Sequence, residues 1–129
     1  MNFDGACFQD RNLAGATTII RDVNGQILAS MADTFTLPHC IVAVEVIAAV
    51  KALRLALELG HTSIILEGDS KIAIEALQSG RPTLAEYGHL IEEAKMVAKS
   101  FEAVDVHEIY KIKYSHIYIF SLTFMLFCD

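Results

Sequence analysis

An α/β fold built on one mixed sheet is what this chain's residues predict, and three observations carry the prediction. The first third is hairpin-rich, with β-branched segments around an Asn-Gly pair. A twenty-residue stretch rich in Ala and Leu follows, without Gly or Pro. Short apolar runs then alternate with capped helical segments. The element order is βββ-α-β-α-α-β. Antiparallel hairpins followed by a βαβ-like half imply a mixed five-stranded sheet with helices on its faces.

Each element has its own signal. Residues 2–8 (NFDGACF) form an apolar run interrupted by Asp4. Residues 14–22 (AGATTIIRD) are β-branched-rich and lead into VNGQ, where Asn24-Gly25 suits a type I′ turn; residues 26–32 (QILASMA) return as the partner strand. Residues 40–59 (CIVAVEVIAAVKALRLALEL) read as a long helix stopped by Gly60. Residues 62–67 (TSIILE) read as a short buried strand. Ser70 is placed to cap a helix over 71–79, which Gly80 and Pro82 end. Thr83 and Glu86 make a T-x-x-E capping box for a helix over 84–99, and residues 101–109 read as a last strand.

At 129 residues the chain is one domain by length, and with 53% hydrophobic and 20% charged residues it is composed to bury a core. A net charge of −6 argues against a dedicated electrostatic binder of nucleic acid. It leaves a nuclease open, because a bound divalent ion adds local positive charge that the formal count omits. Three widely spaced cysteines, Cys7, Cys40 and Cys128, offer no metal-ligand spacing and read as buried thiols of a reducing compartment. No signal peptide is visible, so a non-secreted, cytoplasmic or nuclear protein is expected. The apolar run Ile117–Cys128 has twelve residues, short of the roughly 20 that a spanning helix needs, so no membrane insertion is expected.

The carboxylates are the informative residues. Asp4 sits in an apolar strand, where a carboxylate is costly unless something pairs with it; its Asp-Gly pair also permits a plain turn. On a helical wheel with Glu45 at 0°, Lys51, Arg54 and Glu58 fall at about 240°, 180° and 220°, a solvated stripe. Glu45 lies opposite, with Ala49, Ala52 and Ala56 at about 40°, 340° and 20°. It therefore points with three alanines toward the sheet, either as a buried paired Glu or as a metal ligand or acid/base group. Asp69 lies just past the carboxyl end of a strand, the edge where open α/β sheets bind ligands, or else serves with Ser70 only to cap the next helix; Glu67 shares its side of that strand. If the first strand is central and lies beside the strand carrying Asp69, then Asp4, Glu45 and Asp69 converge. Three carboxylates cannot stay ionised together in a dry site without a cation, and an all-oxygen set selects a hard ion, Mg²⁺ or Mn²⁺.

In order, NFDGA, AGATTIIRDVNGQILAS, the Glu45 helix and ILEGDSKIAIEAL resemble the ribonuclease H-like domain of plant reverse-transcriptase-related proteins, over residues 1–110. The resemblance implies a ribonuclease H-like five-stranded mixed sheet. It implies metal-dependent endonucleolytic hydrolysis of the RNA strand in RNA–DNA hybrids, with Mg²⁺ or Mn²⁺ as cofactor. Asp4, Glu45 and Asp69 would be three catalytic metal ligands, and an RNA–DNA hybrid or other nucleic acid the partner of a monomer. The family continues with H-V-x-R-x-x-N-x-x-A-D, whose Asp is a fourth ligand on a final helix. Here VDVHEIYKIKY starts similarly and departs: aligned on His107, the Asp position is Ile117 or, one register on, Tyr118.

After Glu108 the only acid is Asp129. The final helix is therefore expected to be missing or replaced, and residues 111–129 to form a divergent apolar tail. From Tyr110 onward lie six of the chain's eleven Phe and Tyr residues, with no Gly or Pro; translated non-coding sequence after a wrong exon boundary is the preferred reading. Impaired activity is the consequence expected. A catalytically inactive module binding nucleic acid or protein is the first alternative; a phosphatase using Asp69 as nucleophile is the second, which the early hairpin disfavours. Lys71 and Arg81 flank the helix after Asp69 and could touch phosphate, although solvated surface is the preferred reading. Asn12, Asn24 and Gln78 could hydrogen-bond a sugar, though nothing singles them out, and His39, His61, His89, His107 and His116 show no metal spacing.

Overall fold

The structure, a computed structural model, describes residues 1–109. In order the elements are β1 (Asn2–Phe8), β2 (Leu13–Arg21), β3 (Ile27–Thr36), α1 (Ile41–Glu58), β4 (Ser63–Gly68), α2 (Lys71–Gln78), α3 (Gly88–Ala98) and β5 (Ala103–Glu108). The strands form one sheet in the order β3-β2-β1-β4-β5. β1–β2 and β2–β3 pair antiparallel, and β1–β4 and β4–β5 pair parallel, so the sheet is mixed and its first strand is central beside β4, the arrangement the sequence permits and the convergence of the acids needs. The expected loss or replacement of the final helix, and the apolar tail expected over residues 111–129, fall outside the described residues.

Burial follows the two-residue period along β2, where Ala14, Ala16, Thr18 and Ile20 are buried. Through register, Phe3 sits opposite Thr18 and Gly5 opposite Ala16, so one face of the sheet gathers Phe3, Gly5, Ala16 and Ile20. α1 covers that face. Its Ala48, Ala49, Ala52 and Ala56 are fully buried, and Arg54 is exposed on the other side, as the helical wheel predicts. Leu53, Leu66, Ile74 and Ile91 complete the interior. Removing apolar side chains of this size from water is the main stabilising term, about 1.5–3 kcal/mol each.

Three local expectations are corrected. Asn24-Gly25 does not form a type I′ turn, which needs positive φ at both residues; here Gly25 has φ +80°, and among the described residues Asn12 is the only non-glycine with positive φ. The turn is closed by Gly25 N–H donating to the Asp22 carbonyl at 3.0 Å, and by Asp22 Oδ1 accepting from the backbone N–H groups of Asn24 and Gln26 at 2.9 Å each. The Asp22 side chain supplies what the turn type was expected to supply. β3 runs four residues beyond its expected end, because β2 pairs with it as far as Leu13↔Thr36. The Thr83–Glu86 capping box does not form. Thr83 Oγ1 accepts instead from Ala85 N–H at 3.2 Å, and α3 starts at Gly88, where a Cβ would lie 2.6 Å from the Thr83 carbonyl oxygen. That close approach of backbone to backbone is tolerated because the first helical residue is the glycine itself.

Ser70 does cap α2, accepting from Ala73 N–H at 3.4 Å. Cys7 and Cys40 are free thiols, as expected, but half-buried rather than fully buried; Cys128 lies outside the described residues. No helix among the described residues is long and apolar enough to cross a membrane.

His61, in the link from α1 to β4, titrates below its ordinary 6.5 because burial disfavours its charged form and the chain's amino-terminal charge repels it. A depressed histidine pKa means that the unfolded chain binds the extra proton first, so this contribution is present above pH 6.5 and is lost as pH falls toward the folded-state value. His61→Gln is expected to flatten the decline of melting temperature on acidification just below pH 6.5. Unchanged curves for the two proteins would contradict this.

Candidate functional site

The three predicted carboxylates come from three different elements. Asp4 is mid-β1, Glu45 is the fifth residue of α1, and Asp69 follows the last residue of β4. β1 and β4 pair through Asn2↔Glu67, with Glu67 N–H donating to the Met1 carbonyl at 2.8 Å. Beyond this the Gly68 carbonyl accepts from Ile109 N–H at 2.8 Å, on the β5 side. Asp4 and Asp69 therefore flank the place where the β1–β4 ladder ends, between a strand that leads into a hairpin and one that leads to a helix. This is the rim, at the carboxyl end of parallel strands, where α/β sheets bind ligands.

Glu45 reaches the rim from below because α1 seats deeply on small residues. Asp4, Glu45 and Asp69 are each partly buried, and each offers one carboxylate oxygen within 4.8 Å of the others. Asp4 Oδ1 accepts from Gly5 N–H at 2.9 Å, which orients its carboxylate. Asp69 sits immediately before the Ser70 cap, where the N-terminal dipole of α2 favours negative charge.

The donor set fits a hard divalent cation. Two ionised carboxylates no more than 4.8 Å apart repel by at least about 3.5 kcal/mol at an effective dielectric of about 20. A shared cation removes that cost. The three oxygens lie close enough together for side-chain adjustment to bring them toward one ion. These residues could hold a metal, and all their donor atoms are oxygen.

Beside the cluster, on the sheet face away from α1, lies an open groove of about 600 Å³. Asp4 is at its edge, and Ala6, Gly15, Thr17, Ala32 and Thr34 line it. Asp33 also borders it, engaged with Lys51 Nζ at 2.6 Å, and that ammonium holds the Asp33 carboxyl below its usual range. Of the secondary candidates, Gln78 donates to the Val106 carbonyl at 2.6 Å and Asn12 takes the left-handed turn after β1, so both serve the fold. Lys71 is exposed and lies 3.9 Å from Glu75, and Arg81 is exposed.

Comparison with known families decides where this arrangement belongs. The family described as reverse transcriptase-like matches residues 2–114. The chain belongs to the reverse transcriptase-like family. The fold of this reverse transcriptase-like chain is that of solved RNase H domains. RNase H1 from the halophilic archaeon Halobacterium salinarum NRC-1 superposes with a TM-score of 0.76 at 23% identity, covering 84% of this chain and 82% of that one. The N-terminal RNase H domain of a Mycobacterium tuberculosis protein, solved as a fusion with maltose binding protein, gives 0.72 at 18% identity, with 83% and 78% covered. LC11-RNase H1, solved in complex with an RNA/DNA hybrid, gives 0.65 at 20% identity, with 84% and 82% covered. A comparison with curated proteins returns no significant match.

Reading the reverse transcriptase-like sequence alone missed two glycines at the site. A Cβ on Gly5 would meet Val44 and Glu45, and one on Gly68 would enter the Phe3 ring. Glycine inside a strand marks a bulge or a close approach, and that signal was present in NFDGA and ILEGD. Only the packing shows what approaches.

Proposed function

We propose that this chain is a metal-dependent ribonuclease H-type domain acting on the RNA strand of RNA–DNA hybrids, with Asp4, Glu45 and Asp69 as its metal ligands. The meeting of those three carboxylates at the end of the β1–β4 ladder carries the reading. The family match and the RNase H fold support it, as does the hybrid bound by one structural neighbour.

Bound there, Mg²⁺ or Mn²⁺ would supply activation of a water nucleophile and stabilisation of the departing oxygen in phosphodiester cleavage. The chain's own part is positional. Asp4 is aimed by its bond from Gly5 N–H, Asp69 is placed by the cap of α2, and Glu45 is carried in by α1. With a net charge of −6, the protein gains little from long-range attraction of a polyanion, so productive binding depends on the cations and on backbone shape.

The sequence after Glu108 holds a single acid, Asp129, so we further propose a rate well below that of a relative with four carboxylates. An RNA–DNA hybrid incubated with millimolar Mg²⁺ or Mn²⁺ tests both parts. Slow cleavage of the RNA strand, abolished by EDTA, is the expected result. No cleavage, together with a melting temperature unmoved by metal, would favour the inactive binding module, because an occupied site stabilises the folded state by linkage. Hydrolysis of a phosphate monoester instead would revive a phosphatase using Asp69.

A further inference from the structure

We infer that Gly5 is a positioning residue for the acidic cluster: its missing side chain sets how deeply α1 seats on β1, and so how near Glu45 comes to Asp4. This rests on the reading of that cluster as a metal site. A Cβ at Gly5 would lie 2.7 Å from Val44 Cγ1, and 3.3 Å from both Glu45 Oε1 and the Val44 carbonyl carbon. Real Cβ atoms do not approach as closely as the first of these, and Val44, 1% exposed, cannot swing out into solvent.

The surroundings leave only one direction for relief. Gly5 pairs with Ala16 in the central antiparallel ladder, so β1 is held by its neighbours on the sheet. The helix is the element that would move, at the turn that carries Glu45. Gly5 also contributes the N–H that orients Asp4 Oδ1. One residue thus fixes two of the three ligands, one by its backbone and the other by the side chain it lacks.

The chemistry makes the spacing matter. Mg²⁺ demands near-ideal octahedral geometry at about 2.0–2.1 Å, whereas Ca²⁺ accepts looser sites at about 2.3–2.6 Å. A helix lifted by a few tenths of an ångström harms Mg²⁺ binding more than Ca²⁺ binding. A merely destabilised protein would show no such preference.

The test is a double-mutant cycle on the full chain, with Gly5→Ala, Val44→Ala and the pair, read by calorimetric titration with Mg²⁺ and Ca²⁺ and by melting without metal. Gly5→Ala is expected to weaken Mg²⁺ by about tenfold or more, the scale of disturbing a ligand's support, and Ca²⁺ by less. Val44→Ala, which removes the methyl in the way, is expected to recover most of that loss in the double variant. Equal Mg²⁺ affinity for Gly5→Ala and the parent, or equal losses for both ions, would overturn the inference.

The metal-free melting cycle separates this failure from failure of the metal-site reading. A parent that binds neither ion refutes the metal site. The inferred contact still stands if Gly5→Ala lowers the melting temperature and Val44→Ala offsets part of it, and falls if the two effects simply add. If Gly5→Ala alone does not fold while the double variant does, the inferred contact is supported directly.

Discussion

Asp4→Asn is expected to remove metal-dependent hybrid cleavage, by at least about 100-fold, while leaving the fold intact. Disturbing only the groups that support a metal ligand costs about 10–100-fold in affinity or activity, so deleting the charge of a ligand itself costs at least the upper end. Asparagine is nearly the same shape, and its amide oxygen can keep the bond from Gly5 N–H, which Asp4 Oδ1 accepts at 2.9 Å. The loss is therefore one of charge and ligation rather than packing.

The substitution has a second signature of opposite sign. Without metal it relieves repulsion among carboxylates that lie within 4.8 Å of one another. The metal-free variant is expected to melt at or above the parent's temperature, and its stabilisation by added Mn²⁺ is expected to vanish. Cleavage that survives Asp4→Asn, or a metal-induced melting shift that does, would show that the ligand assignment is wrong.

Gly68→Ala is expected to have the largest effect on stability. The Phe3 ring, 1% exposed, lies against Gly68, and a Cβ there would penetrate it, with Phe3 Cε1 and Cε2 only 2.8 and 2.9 Å away. Phe3 is buried under α1 and cannot retreat into solvent, so β1 and β4 must separate. Overpacking of a filled core costs about 1–3 kcal/mol, which for a domain of this size lowers the melting temperature by about 4–12 °C. The strain falls where β1 and β4 pair and one residue before Asp69, so metal affinity is expected to fall with it. Phe3→Leu in the same background should restore part of the stability. A melting temperature unchanged by Gly68→Ala alone would show that the ring does not sit where the structure places it.

Much of the fold was legible because its signals are local. The Ala-Leu helix, Ser70 as a cap, the short run TSIILE and the three opening strands each announce themselves within ten or twenty residues. The errors arose where one short-range signal competed with another. Asn24-Gly25 suggested a turn type that the Asp22 side chain replaced with a different one, and the T-x-x-E pattern at Thr83 lost to the backbone contact at Gly88.

By itself, the sequence determined the strand and helix order, the inward direction of Glu45, and three acids at positions where strand, helix and strand end could bring them together. These follow from periodicity and turn chemistry, which act between near neighbours. Tertiary structure alone decided that the three oxygens come within 4.8 Å of one another, and that Gly5 and Gly68 are the gaps into which α1 and Phe3 fit. Such spacings depend on the depth at which a helix seats on a sheet and on where a ladder stops. Both are set by the close packing of residues distant in sequence, which no local pattern encodes.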